Sequence, residues 1–62
     1  MSDKSMKFLM IENQLNEIWR AMKQLMVDRG LGLVSEEHFK ERYKELAKTQ
    51  KYWMDQRNSL YE

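Results

Sequence analysis

Cysteine and proline are both missing from this 62-residue sequence. Without cysteine there are no disulfides and no thiolate metal sites. A single histidine, His38, rules out a His-rich metal cluster. Small scaffolds commonly rely on disulfides, a metal or oligomerisation, so oligomerisation is the option left. With no proline, nothing breaks a helix from inside. The only two glycines, Gly30 and Gly32, fall together at the midpoint. Charge of one sign is lacking too: 11 Lys+Arg against 10 Asp+Glu leaves a net charge of +1. That is far from the strongly basic balance of a dedicated nucleic-acid binder. No apolar run approaches the roughly 18 residues of a membrane span. The two lysines before Phe8 lead into no apolar stretch of roughly 7–15 residues, so no signal peptide is read there. The expected location is therefore cytoplasmic. Small size and six methionines point to a bacterial or phage setting.

What is present is helical periodicity. Apolar residues recur at Phe8, Ile11, Leu15, Ile18, Met22 and Leu25, in alternating steps of three and four. This is a heptad seam, with Phe8, Leu15 and Met22 at a and Ile11, Ile18 and Leu25 at d. Trp19 and Met26 widen the stripe, which suits a multi-helix bundle better than a two-stranded coil. Leu9 and Met10 lie off it, placed to cover a bundle end or touch a partner. The second seam runs Phe39, Tyr43, Leu46, Gln50, Trp53, Arg57 and Leu60, flanked by Ala47, Met54 and Tyr61. Between the seams Gly30 is expected to take the left-handed conformation that ends a helix, with Leu31 folding back on Met26. Arg29 places a cation at the negative end of the helix dipole. Ser35 reads as the next N-cap, followed by acidic Glu36 and Glu37. Val34 and Phe39 are spaced as a hydrophobic staple.

The expected architecture is all-α: one antiparallel helical hairpin, with helices over about 5–29 and about 35–60 and a turn at about 30–34. Folding back about that turn sets Phe39 against Met26, Tyr43 against Met22 and Trp53 near Ile11 and Glu12. It brings Gln50 near Leu15 and Arg57 near Phe8. Helices of about 25 residues run roughly 37 Å, and a lone pair leaves one side of each stripe wet. A homodimeric four-helix bundle covers it, with a higher even assembly as the alternative.

Several residues offer more than packing. Gln50 and Arg57 interrupt the second seam and are expected to set register and oligomer state, as polar seam residues do. Arg57 is placed to reach Glu12 or stack on Phe8. Lys40, Lys44, Lys48 and Lys51 form a basic stripe beside Tyr52, able to track a phosphate backbone. The neighbouring Glu37, Glu41 and Glu45 make an ion-paired, solvated face the plainer expectation. Trp19, Trp53, Phe39 and Tyr43 are placed as core. Trp19, Met26, Tyr52, Met54 and Tyr61 are the candidate partner-binding residues, since aromatic residues are enriched at interface hot spots. His38 stands beside Glu37 and Glu41, an arrangement acid–base chemistry uses. No nucleophile, second histidine or glycine-rich loop accompanies it. We therefore expect no catalytic residues, cofactor or metal, and no enzyme.

The run Gly32-Leu33-Val34-Ser35-Glu36-Glu37-His38-Phe39, with Tyr43 and Leu46 after it, resembles the turn-and-helix pattern of SHOCT-type domains. Those join two short helices through a glycine, two aliphatics, a hydroxyl residue and two glutamates. Asp28 to Leu31 lengthens the turn here by two residues, and the helices are longer. The resemblance implies an oligomerisation or interaction module. The layout is also similar to that of the Rop family, hairpins that dimerise into four-helix bundles and bind RNA. That similarity is one of architecture and implies nothing about function.

The expected function is protein–protein interaction. The chain would be a regulator, inhibitor or assembly factor, phage- or mobile-element-encoded, acting as a helical oligomer on a larger protein. An RNA- or DNA-binding hairpin using the four lysines is the first alternative. A structural subunit of a larger helical assembly is the second.

Overall fold

The computed structural model describes residues 3–61, and these form two α-helices packed side by side. The first, α1, spans Asp3–Gly30 and the second, α2, spans Glu36–Ser59. Both are uninterrupted, as an absence of proline permits.

The turn is built by a hydrogen-bonded stop followed at once by a cap. Gly32, not Gly30, takes the left-handed conformation, at φ 74°. Gly30 stays helical as the last residue of α1. The N–H of Gly32 donates to the Arg29 carbonyl at 3.0 Å, and that of Leu33 to the Asp28 carbonyl at 2.8 Å. These are the two bonds of a Schellman motif with Gly32 just past the helix end, and they satisfy carbonyls the last turn would orphan. The expected fold-back of Leu31 on Met26 leaves both side chains largely exposed. Arg29 instead reaches forward. Its Nε donates to Glu36 Oε1 at 2.9 Å, and its guanidinium lies 4.5 Å over the Phe39 ring. One side chain thereby ties the end of α1 to the start of α2. Ser35 caps α2 as its residue type suggests, its Oγ accepting from the His38 N–H at 3.1 Å.

The two glycines should therefore respond oppositely to alanine. A Cβ on either meets nothing within 4 Å, so backbone conformation alone decides. Gly32→Ala is expected to cost about 1–2 kcal/mol, the penalty of a left-handed L-residue. Gly30→Ala is expected to gain about 0.5 kcal/mol, because alanine suits a helix better. Urea denaturation of the two variants checks both signs.

The core is lopsided. α1 contributes Ile11, Leu15, Ile18, Met22 and Leu25 as buried residues. In α2 only Leu46 is buried. It packs on Ile18, Met22 and Leu25, with Phe39, Ala47 and Trp53 partly buried around it. The heptad seam of α1 is thus the floor, and the bulky seam of α2 lies across it. Aromatic and long polar side chains cover those aliphatics while leaving their own outer edges in water.

The helices meet about one turn away from a simple fold-back. Arg57 pairs with Glu12, one of the two contacts expected of it, and Phe8 meets Tyr61. Tyr43 shares a groove with its expected neighbour Met22 and also with Trp19, Met26 and Gln50. Two causes act together. Gly30 extends α1 and moves the turn on by a residue. Side chains also lean toward their own helix N-terminus, so each spot is covered by a residue about one position further along its chain. In an antiparallel pair the two leans add.

Candidate interaction face

Two helices side by side make a slab, 46 × 17 × 10 Å in extent. Its two broad faces differ in chemistry. On one, α1 presents Phe8, Trp19 and Met26, spaced eleven and seven residues apart and so on one side of the helix. From α2, Tyr43, Met54 and Tyr61 fall on that same side by intervals of eleven and seven. The structure joins the two rows at two levels. Phe8 meets Tyr61 edge-to-face with ring centroids 6.5 Å apart. In the middle, Trp19, Met22, Lys23, Met26, Tyr43 and Gln50 line a groove of about 390 Å³. Trp19 forms a wall of that groove and is 64% exposed.

The opposite broad face is mostly polar. By the same helical geometry α1 offers Gln14, Glu17, Ala21 and Asp28 there, with the exposed Met6 and Met10 near the open end, and α2 offers Arg42, Glu45, Thr49 and Gln56. Local bonds serve it: Gln24 to Asp28 at 2.9 Å, Arg42 to Glu45 at 3.1 Å, and Thr49 Oγ1 to the Glu45 carbonyl.

Four of the five candidate contact residues, Trp19, Met26, Met54 and Tyr61, share the apolar face. Tyr52 does not. It stands on the outer side of α2, its ring 5.0 Å from that of Trp53. Trp19 and Tyr43, both placed in the core from the sequence, are instead 64% and 36% exposed on the apolar face. Phe8 joins the face as well. Leu31, which its spacing assigned to the helix cap, and Leu33 are exposed apolar residues at the turn. Their position beyond a helix stop was the available signal, since turn residues have little to pack against.

The seam polars are both half-buried. Arg57 Nη1 donates to Glu12 Oε1 at 3.1 Å, each side chain one-third exposed. Gln50 lines the groove. Because water still reaches the Arg57–Glu12 pair, its coupling in a double-mutant cycle (Glu12→Gln, Arg57→Met) should be about 0.5–1 kcal/mol. Arg57→Met alone should cost about 0.5–1 kcal/mol, since it leaves the half-buried Glu12 carboxylate without its partner. A coupling near zero in urea denaturation would mean that the contact does not fix the register.

Lys40, Lys44, Lys48 and Lys51 are all exposed along α2. The expected ion pairing with Glu37, Glu41 and Glu45 does not form. Among the described residues the ion pairs are Arg29–Glu36, Arg42–Glu45 and Arg57–Glu12. A lysine ammonium is strongly hydrated, and an exposed pair returns too little to order two long side chains. His38 is exposed, and the bond formed there is through its backbone N–H. Among the described residues no cluster of three or more His, Cys, Asp or Glu is placed to hold a metal. No helix among them is long and apolar enough to cross a membrane.

No protein-family model matches the chain, and neither a curated protein nor a solved structure shows significant similarity to it. The likeness to SHOCT-type domains accordingly stays with the turn residues that carry it.

Surface area puts the apolar face in proportion. The chain exposes 5169 Å², whereas a compact monomer of 7.6 kDa exposes about 4,300 Å². The surplus, about 900 Å², belongs to the whole elongated chain rather than to this face alone.

Proposed function

We propose that this chain is a small non-enzymatic interaction module, a helical hairpin that self-associates and acts as an oligomer on a larger protein. A regulator, inhibitor or assembly factor encoded by a phage or mobile element and working in the cytoplasm is the setting that fits it. The observation that carries the reading is the one-sided chemistry of the slab. One broad face holds Trp19, Met26, Tyr43, Met54 and Tyr61 around an open groove, and the other is mostly polar. Contiguous exposed apolar area of this kind marks interaction sites in soluble proteins.

The test is affinity capture from the source cell with wild-type and Trp19→Glu chains as paired baits. The reading expects specific proteins held by the first bait and lost by the second. Identical sets on both baits would remove the apolar face from the function.

A second reading is favoured by the unpaired lysines. Four ammonium groups along one side of α2, engaged in none of the ion pairs above, are available to phosphates. Gel-shift titration with mixed-sequence RNA and duplex DNA at low and physiological salt separates the readings. A nucleic-acid hairpin binds at low salt, weakens steeply as salt rises, and loses binding when Lys40, Lys44, Lys48 and Lys51 become glutamine. The interaction-module reading expects no shift at either salt.

A further inference from the structure

Opposite ends of the hairpin carry apolar features that a single copy leaves open. At the turn, Leu31 and Leu33 are each 69% exposed. At the far end, Lys4, Ser5, Phe8, Leu9, Leu60 and Tyr61 line an open cavity of about 520 Å³. The apolar broad face runs between the two.

We propose that a second copy of this chain covers that face, related by a two-fold axis perpendicular to the helices, so that the two turns lie at opposite ends of a four-helix bundle. The proposal rests on the self-association reading above and gives it a geometry. The 46 × 17 Å face has a footprint of about 800 Å², the area each partner buries in a standard stable interface. The occupant's chemistry must also suit a mixed face. Besides its apolar rows, α1 presents Glu12 and Lys23 there, seven residues before and four after Trp19.

Two symmetric arrangements lay this face on itself with neighbouring helices antiparallel, and a two-fold contact must use one patch on both copies. With both turns at the same end, α1 lies over α2 of the second copy. Lys23 then comes level with Leu46. With turns at opposite ends, α1 lies over α1. An axis crossing between Glu17 and Ile18 then sets Glu12, already bonded to Arg57 of its own chain, within reach of Lys23 of the second copy, on both sides of the axis. The same register brings Lys4 of one copy level with Leu31 of the other. One alignment thus pairs the charges and seats the exposed turn of each copy at the open cavity of the other. Gln50 lies level with Trp19 across the groove, within one turn of the axis. Its amide both donates and accepts, so the two copies of Gln50 complete each other where register is decided.

The absence of native cysteine makes thiol crosslinking clean. Lys4→Cys and Leu31→Cys chains are prepared separately, mixed, and treated with a short bismaleimide. The expected result is a mixed dimer forming about a hundredfold faster than between unassociated chains, because association raises the effective thiol concentration. Leu31→Cys alone should stay uncrosslinked. Rapid crosslinking of Leu31→Cys to itself would place the turns together and overturn the proposal. Crosslinking in neither sample overturns it as well, and the mass of the untreated wild-type chain then apportions the failure. A dimeric mass leaves self-association standing with another geometry, whereas a monomeric mass removes both.

Discussion

Leu46→Ala is expected to abolish most helical structure at micromolar concentration. Leu46 is the one buried residue of α2 and lies over Ile18, Met22 and Leu25. Removing a buried leucine to alanine costs about 2–5 kcal/mol, because a cavity remains where neighbours cannot collapse. A domain of this size has about 3–9 kcal/mol in total, at about 0.05–0.15 kcal/mol per residue. One substitution thus removes a large part of what holds α2 to α1. The helices do not stand well alone, since helical stability in proteins comes mainly from packing an amphipathic face. Far-UV circular dichroism and urea denaturation measure the effect. Leu46→Met is the control, keeping volume at less than about 1.5 kcal/mol. A Leu46→Ala chain that melts with wild type would mean that the contact between the helices lies elsewhere.

Trp19→Glu is expected to weaken self-association about a thousandfold while changing the hairpin itself little. In one copy Trp19 is mostly exposed, so its loss should move intrinsic stability by less than about 0.5 kcal/mol, as for other surface positions. In a two-fold dimer each substitution acts twice. A buried interface tryptophan contributes about 2 kcal/mol or more on truncation. Two of them amount to about 4 kcal/mol, or three factors of ten in the dissociation constant. Sedimentation equilibrium gives that constant for both chains. Equal constants would show that Trp19 faces water in the assembly.

Much of this was legible in the sequence because helical hairpins are written in local terms. The spacing of Ile11, Leu15, Ile18, Met22 and Leu25 names the buried row of α1 directly. Ser35 with its following glutamates names the start of α2. Which glycine ends α1 was not legible from residue type. Gly30 and Gly32 are equally able to go left-handed, and the Asp28 and Arg29 carbonyls choose between them by the bonds they accept. The register also escaped a simple fold-back, because it depends on side-chain lean as well as chain length. Tyr43 shows the limit of periodicity. Its spacing puts it on the seam, yet α1 is too narrow to cover the whole seam of α2. Spacing likewise suggested ion pairs for the lysines, but it says nothing of the hydration those pairs must overcome. The five contact candidates divide along the same line. Four lie over the groove side by helical phase, while Tyr52, beyond the edge of the stripe, falls on the outer side of α2.

The direct test of the central claim, that this face needs a second molecule, is the mass and melting temperature of the purified chain over a hundredfold range of concentration. The account predicts a species of twice the 7.6 kDa chain mass, with a melting temperature that climbs as concentration rises, because association stabilises the folded form by mass action. A single 7.6 kDa species that stays fully helical and melts at one temperature throughout would contradict it.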